Sequence, residues 1–404
     1  MTYFKTLSTV GFAATAISYG PGRMGFGLFV PEMKSDIGMT ASTVGLVSSL
    51  GFLGFFLALL LAQAMLTRYG PKAPVVTGLL SATGGMALVA GATTVPLLAV
   101  GIFFAAASAG FAWSPFNDAV NRKIESIDRP AALSRISSGT SFGIVLAAVA
   151  AFAAQSAGVS WRVCWAAFAA ASAVALVVNW IGLRTVPPAD HIVSSDEKRL
   201  LGARRAMPLY AVALTLGLIS AIYAAFAADH IKDTGPLPGL SAGSGPAALF
   251  LFYGFFGLAG LVTEKVRDQL GLLLLLRVLM LTGAMSFVAI VLWPNMWIAL
   301  VFSAGAQGTA VMMTSAILAF WSDRLFPGMP SMAFTAALLA YAAGSIIGPA
   351  LAGMASDAFG ANAMFLGVAV LPAMVALGLS DRLVRETAIE DVRREDNQWG
   401  ESIA

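Results

Sequence analysis

Charge is what this sequence has least of. Its 24 Lys and Arg and 21 Asp and Glu make up only 11% of 404 residues, while 58% are hydrophobic. A water-soluble domain carries roughly 25% charged residues, so a soluble globular class is excluded. Cys164 is the single cysteine, which rules out an intrachain disulfide and a cysteine-rich metal site. Histidine occurs twice, at His191 and His230. Both are expected in loops, and two are too few for a histidine metal site or a histidine-based triad. No Gly-x-x-x-x-Gly-Lys-Ser/Thr segment is present, so no ATP-driven motor is expected. The basic residues lie in loops without interleaved aromatics, which argues against a nucleic-acid partner. No cofactor is expected.

What the chain has in quantity is apolar run. Its mean hydropathy is +0.82, and twelve stretches approach the roughly 20 apolar residues that cross a bilayer. The runs are continuous rather than alternating, which favours helices over a closed barrel. Helices are expected near 7–33, 40–66, 73–92, 95–118, 134–157 and 162–183. A second set is expected near 207–229, 243–264, 271–292, 296–320, 331–355 and 361–380. Pro71, Pro74, Pro294 and Pro327 with Gly328 punctuate the turns. The opening run from Lys5 to Ile17 imitates a signal peptide, but it continues through Gly22 to Pro31 and reads as the first spanning helix. GPGRMGFG at 20–27 falls inside that helix, so a phosphate loop is rejected.

The few charges are sorted by side. Twenty of the 24 Lys and Arg fall in segments on one side of this pattern, and Lys34, Arg162 and Lys232 on the other. Cytoplasmic loops retain excess Lys and Arg. Both ends are therefore expected inside the cell, in a multi-pass protein of a bacterial inner membrane. Arg23 alone lies deep within a spanning helix, far from either end.

The polar segment RTVPPADHIVSSDEKRLLGARRA at 184–206 divides the chain. Two six-helix halves are expected, 1–184 and 207–382, with a cytoplasmic linker at 185–206 and a cytoplasmic tail at 383–404. The halves echo each other: Gly139 and Gly143 recur 205 positions later as Gly344 and Gly348, and Asp118 as Asp323. Parallel six-helix repeats form a transporter architecture with the site between them near mid-membrane.

Short motifs carry a family resemblance. QAMLTRYGPK at 63–72 keeps Arg68, Gly70 and Lys72 of the Gly-x-x-x-Asp-Arg-x-Gly-Arg-Lys loop that marks the major facilitator superfamily. It has Gln63, Thr67 and Pro71 where the family has Gly, Asp and Arg. GLVTEK offers a second copy with Gly260, Glu264 and Lys265. Trp161–Arg162 and Gly348–Pro349 with Gly353, Asp357 and Gly360 also resemble the family. The resemblance covers essentially the whole chain. It implies an all-α membrane protein with twelve transmembrane helices in two pseudo-symmetric halves, and a cavity lined by helices 1, 4, 7 and 10. Helix 4 reads GIFFAAASAG where many proton-coupled members carry an Arg, which argues against multidrug-type proton antiport. GRMGFGLFVPEMKSDIGMT at 22–40 looks like the YbfB and cyanate-permease-like branch, and WSPFNDAVNRK at 113–123 like monocarboxylate porters.

Arg23 lies about 16 residues into its helix, roughly 24 Å at 1.5 Å per residue. A charge at such depth costs about 2.5–3.5 kcal/mol even on insertion scales and usually faces a cavity. Tyr19-Gly20-Pro21-Gly22 should kink the helix there. Two readings stand: a ligand for an anionic substrate through its bidentate fork, or a structural cation that snorkels outward or pairs with Asp229 or with carbonyls of another helix. Phe26, Asn117, Tyr223 and Gln307 are further substrate-site candidates, on helices the resemblance places around the cavity. Tyr223 and Phe226 are taken as placed on helix 7 as Arg23 is on helix 1. Phe29 is a possible apolar wall, and Thr309 is another polar group on helix 10. Asp229 and His230 read best as a solvated helix end.

Arg68, Asp118, Glu264, Lys265 and Asp323 are the gating and coupling candidates. In the family, the loop Arg matched by Arg68 pairs with an acid at the inner end of helix 4, here Asp118, when the inner side is closed. Asp118 has a rival partner in Arg122 one turn away, and a rival role as a proton carrier. Asp323 has Lys265, Arg267 and Arg324 within reach in the second half.

The expected function is secondary active transport by alternating access. The substrate is expected to be a small organic anion such as a carboxylate, with proton coupling, in a monomer surrounded by lipid. Two other readings stay open: efflux of a neutral or hydrophobic compound, and a non-transporting membrane sensor or intramembrane enzyme.

Overall fold

Lipid offers no partners for backbone N–H and C=O groups, so each long apolar run satisfies them by closing into a helix. The computed structural model describes residues 3–184, 186, 201, 206–241 and 243–384. Among these no strand occurs. Most of the expected linker and tail, with His191, lies outside the described residues.

Twelve rods result. The first, α1, has three parts: Tyr3–Tyr19, a π-helical turn at Gly20–Met24, and Gly25–Ile37. Next come α2 Ala41–Tyr69, α3 Lys72–Ala90, α4 Val95–Lys123, α5 Arg129–Ser156 and α6 Trp161–Gly182. The second set is α7 Met207–Asp233, α8 Gly245–Leu270, α9 Leu272–Leu292, α10 Trp297–Leu325, α11 Pro330–Phe359 and α12 Ala361–Gly378. Eleven qualify as spans by length and composition; α1 is as long but is interrupted by its π turn and carries Arg23. Several helices outrun the expected boundaries by a turn, because polar ends such as Asn121–Lys123 and Thr263–Leu270 stay helical.

Side-chain hydroxyls start two of the rods. Thr40 Oγ1 accepts from the Thr43 amide at 3.2 Å, and Ser160 Oγ from the Arg162 amide at 3.3 Å, each filling an orphan donor of the first turn.

Packing repeats between the halves. In the first, α1 packs on α5, α2 on α4, and α3 on both α4 and α6; in the second, α7 packs on α11, α8 on α10, and α9 on both α10 and α12. Between halves, α2 meets α11, α5 meets α8, and α1 meets α7. The glycine repeat has a physical cause. A Cβ at Gly139 or Gly143 would run into the carbonyls of Phe12 and Ala16, and one at Gly344 or Gly348 into those of Leu214 and Leu218. Both copies let a helix lie directly on its neighbour's backbone, the small-residue packing favoured in membranes.

The helix α7 sits at the centre, with 83% of its apolar window buried, whereas α12 has 33% and α6 39%. The outer rods present Val174, Val177, Leu371 and Leu377 outward, as a surface solvated by acyl chains requires.

Candidate functional site

The kink expected at Gly20-Pro21-Gly22 is the π turn. Proline has no N–H to give the preceding turn, and the wider turn absorbs the lost bond. Its consequence is a redirected Arg23.

Arg23 sits at the blind end of a cavity between the halves. The first half lines it with Tyr19 and Met24 of α1, Phe55 of α2, Trp113 of α4, and Ser137, Ser138, Thr140 and Ser141 of α5. The second half adds Leu258 and Leu261 of α8, Val311, Met312, Ser315 and Ala319 of α10, and Phe334, Leu338 and Tyr341 of α11. Leu261, Ala319 and Phe334 lie toward the basic ends of their helices, so the mouth faces that end. The empty space is about 950 Å³, open mouth included, which suits a small molecule.

Among the described residues, Arg23 is the only charged one in that lining. Four rings surround its guanidinium: Phe55 at 4.8 Å, Tyr341 at 4.9 Å, Phe52 at 5.3 Å and Tyr19 at 5.5 Å. Ring faces attract a cation but do not neutralise it. Nη2 donates to Tyr341 Oη at 2.5 Å, while Nε is buried and has no hydrogen-bond partner. Trp113 Nε1 is a second buried donor without a partner. Among the described residues no carboxylate pairs with Arg23. The alternative pairing with Asp229 is overturned, because Asp229 Oδ2 takes Lys34 Nζ at 2.6 Å.

The end opposite the mouth is shut by contacts between the halves. Gly27 of α1 presses on the Ala224 carbonyl of α7, where any Cβ would overlap. Lys34 ties α1 to Asp229 of α7. Asp357 of α11 accepts from the Ala41 and Ser42 amides of α2 at 3.2 and 2.9 Å, so an acid from one half caps a helix of the other. Within the first half, Asp36 takes Arg162 and the Trp161 indole N–H.

Several sequence candidates lie elsewhere. Tyr223 is fully buried inside the second half, bonded to Ser303 Oγ at 2.9 Å and stacked on Tyr253. The glycine contacts pair Phe12 with Leu214 and Ala16 with Leu218, an offset of 202, which places the counterpart of Arg23 near Ala225. Tyr223 is two residues away, roughly 200° around the helix, and so faces inward. No residue of α7 lines the cavity, whereas α2, α5, α8 and α11 do; this corrects the expected set of cavity helices. Gln307 is buried against α9, donating to Ser286 Oγ at 2.8 Å. Asn117 accepts from Asn121 at 3.4 Å and lies outside the lining. Phe26 is buried beside a minor gap that also touches Arg23. Phe29 packs on Trp165 and Phe168, and Thr309 donates to the Phe256 carbonyl. His230 is helical and buried against Phe365 and the Ile290 carbonyl, which corrects the solvated helix end.

At the basic end, Asp118 bonds Arg122 one turn along, and Arg68 is exposed with its guanidinium 5.8 Å from the Tyr69 ring. Glu264 and Lys265 are exposed beside a shallow surface hollow with Asp268. Asp323 is exposed, and its neighbour Arg324 shares the Phe320 ring with Arg267.

The sequence reading missed Tyr341, Trp113, Phe52 and Phe55. Three of them lie on α2 and α11, helices outside the expected cavity set, and nothing in their local sequence marks them.

The fold has many solved relatives of low identity. A bacterial homologue of the human lysosomal transporter Spinster, inward-facing and unoccupied, is 15% identical with a TM-score of 0.74, over 93% of this chain and 96% of its own. The nucleoside transporter NupG is 14% identical with a TM-score of 0.70, over 93% and 98%. A POT family transporter in complex with 5-aminolevulinic acid is 13% identical with a TM-score of 0.77, over 95% and 96%. No curated protein matches the chain. The family model that does match, over residues 12–285, spans the first half and reaches into the second, and with the twelve-helix architecture it settles the family: this chain is a multi-pass membrane transporter of the Major Facilitator Superfamily.

Proposed function

We propose that the transported solute is a small organic anion, a monocarboxylate with an apolar body, carried together with protons. The observation that supports this reading is the uncompensated guanidinium of Arg23 at the blind end of the cavity, with Nε unpartnered. A desolvated cation is stabilised most by an anion that reaches two of its donors at once. Trp113 Nε1 and the hydroxyls of Thr140, Ser141 and Ser315 supply further donors, while Met312, Phe334 and Leu338 suit an apolar body.

Phe26, Asn117, Tyr223 and Gln307 do not join Arg23 in that lining, so Arg23 is the retained ligand. Alternating access would open the Lys34, Asp229 and Asp357 contacts and close the basic mouth, where Arg68 and Asp118 form the proposed gate. The described lining holds no Asp or Glu, so the coupled proton would have to use an acid outside it. The charge split supports a bacterial inner-membrane topology with a cytoplasmic linker between halves 1–184 and 207–382 and a cytoplasmic tail; the proposed working unit is a monomer.

The ring cage favours a second reading. Four aromatic faces stabilise Arg23 without any anion, which would let a neutral apolar compound use the same cavity for efflux.

Uptake of labelled benzoate and hexanoate into proteoliposomes decides between the two. Saturable entry of the acids, increased by a pH gradient and not shared by the uncharged amides, is the expected result. Equal movement of acids and amides would favour the second reading.

A further inference from the structure

Among the described residues, Tyr341 is the one point where the second half touches Arg23 by a hydrogen bond. The residue is 3% exposed, and its base is fixed because α11 lies on α7. Gly217 packs against the Tyr341 carbonyl, and Ser345 Oγ donates to the Gly217 carbonyl at 3.0 Å. Tyr341 Oη is 2.5 Å from Arg23 Nη2 and 2.5 Å from Ser220 Oγ, and Ser220 Oγ is 3.3 Å from the Gly217 carbonyl.

Donor rules order this chain. A guanidinium only donates, whereas a hydroxyl has one hydrogen and two lone pairs. In the empty cavity Arg23 therefore donates to Tyr341, and where Ser220 gives its hydrogen to the Gly217 carbonyl, Tyr341 gives its own to Ser220. An ionised carboxylate only accepts. When one reaches Arg23 Nε, the nearby phenol serves it by turning its hydrogen toward it. Ser220 then has to turn its own hydrogen back onto Tyr341 Oη. Two O–H bonds rotate; no bond breaks and no proton changes owner.

Resting on the carboxylate reading above, we propose that Tyr341 is a second ligand for the substrate carboxylate, and that Ser220 is a positioning residue that lets its hydroxyl change from acceptor to donor. Arg23 belongs to the first half and Tyr341 to the second. A carboxylate held by both bridges the halves at the blind end of the cavity. Occupancy then holds the two halves to one another through the substrate, and an uncharged amide, which offers a poorer acceptor, does so less.

The test is calorimetry on purified, monodisperse full-length protein with benzoate, hexanoate and their amides. Tyr341→Phe keeps the ring over Arg23 and removes the hydroxyl. A hydrogen bond to a charged group contributes enough that acid affinity should fall about 10- to 100-fold, with amide affinity little changed. Ser220→Ala should lower acid affinity several-fold and narrow the acid-to-amide ratio, and Ser220→Thr should restore both. A purely structural role would weaken acid and amide alike. Acid affinity in Tyr341→Phe equal to or tighter than the parent's would overturn the proposal and leave Tyr341 as a tether that substrate displaces. An unchanged acid-to-amide ratio in Ser220→Ala would overturn the switch. If the parent binds the acids and Arg23→Ala does not, while both other variants bind like the parent, the carboxylate reading stands and this proposal falls. A parent that binds none of the acids overturns both.

Discussion

A single guanidinium without a counter-anion sets the chemistry of this cavity. Its neighbours are ring faces, which attract a cation by about 0.5–2 kcal/mol each, and one phenol oxygen. Neither offers two acceptors in the plane of the fork. Arg23→Lys keeps the charge and loses that fork. Acid affinity should therefore fall at least 10-fold in calorimetry, with the melting temperature close to the parent's. Arg23→Ala should abolish measurable acid binding, since removing one partner of a desolvated charged pair costs about 2–5 kcal/mol. A folded Arg23→Ala protein that binds acids like the parent would refute the ligand role. Arg23 was legible in the sequence because a charge inside an apolar run is anomalous in one dimension. Tyr341 was not, because a tyrosine in an apolar helix is ordinary and its partner is 318 positions away.

Two helix ends divide the work of closure. At the end opposite the mouth, the Asp357 carboxylate meets the first-turn amides of α2, where orphan N–H groups and the helix dipole both favour an anion. This contact crosses between the halves, so it stabilises the state in which that end is shut. Asp357→Ala should move the population toward opening there by roughly two- to ten-fold, the scale of a lost N-cap. Thiol labelling of a cysteine introduced near Ser42, in a chain with Cys164 replaced, would report it; unchanged labelling would mean the cap carries no weight. At the basic end the direction reverses. Arg68→Asp with Asp118→Arg should regain part of the transport lost by either single change if the two pair on closing, whereas additive losses would argue against pairing. The extents of the helices were readable from apolar length and from Pro and Gly punctuation. Rotational phase was harder. Tyr223 looked equivalent to Arg23 by distance along its helix, yet an error of two residues turns a side chain to the opposite face.

For the whole molecule, the sorting of Lys and Arg carries the orientation. The basic end holds Arg68, Arg122, Arg267 and Arg324, and the cavity mouth opens there, whereas Lys34, Arg162 and Lys232 lie at the opposite end. If the positive-inside rule holds for this chain, the structure is the inward-open state. A reporter active only in the cytoplasm, fused after Ala404, should be active, and one active only in the periplasm silent. The reverse pair of results would invert the orientation, and with it the side on which solute is released.

The sequence by itself determined that the chain spans a membrane with twelve helices, that its halves repeat, and that Arg23 is the residue to explain. Each follows from properties local to the chain. Apolar length must match bilayer thickness, glycines must recur where helices lie on each other's backbones, and a charge in lipid demands a partner. Tertiary structure alone decided which partner. The ring cage, the Tyr341 and Ser220 hydroxyls, and the absence of α7 from the lining depend on how far each helix is rotated about its axis. That rotation is set by side chains meeting across the bundle, which no periodicity along one helix encodes.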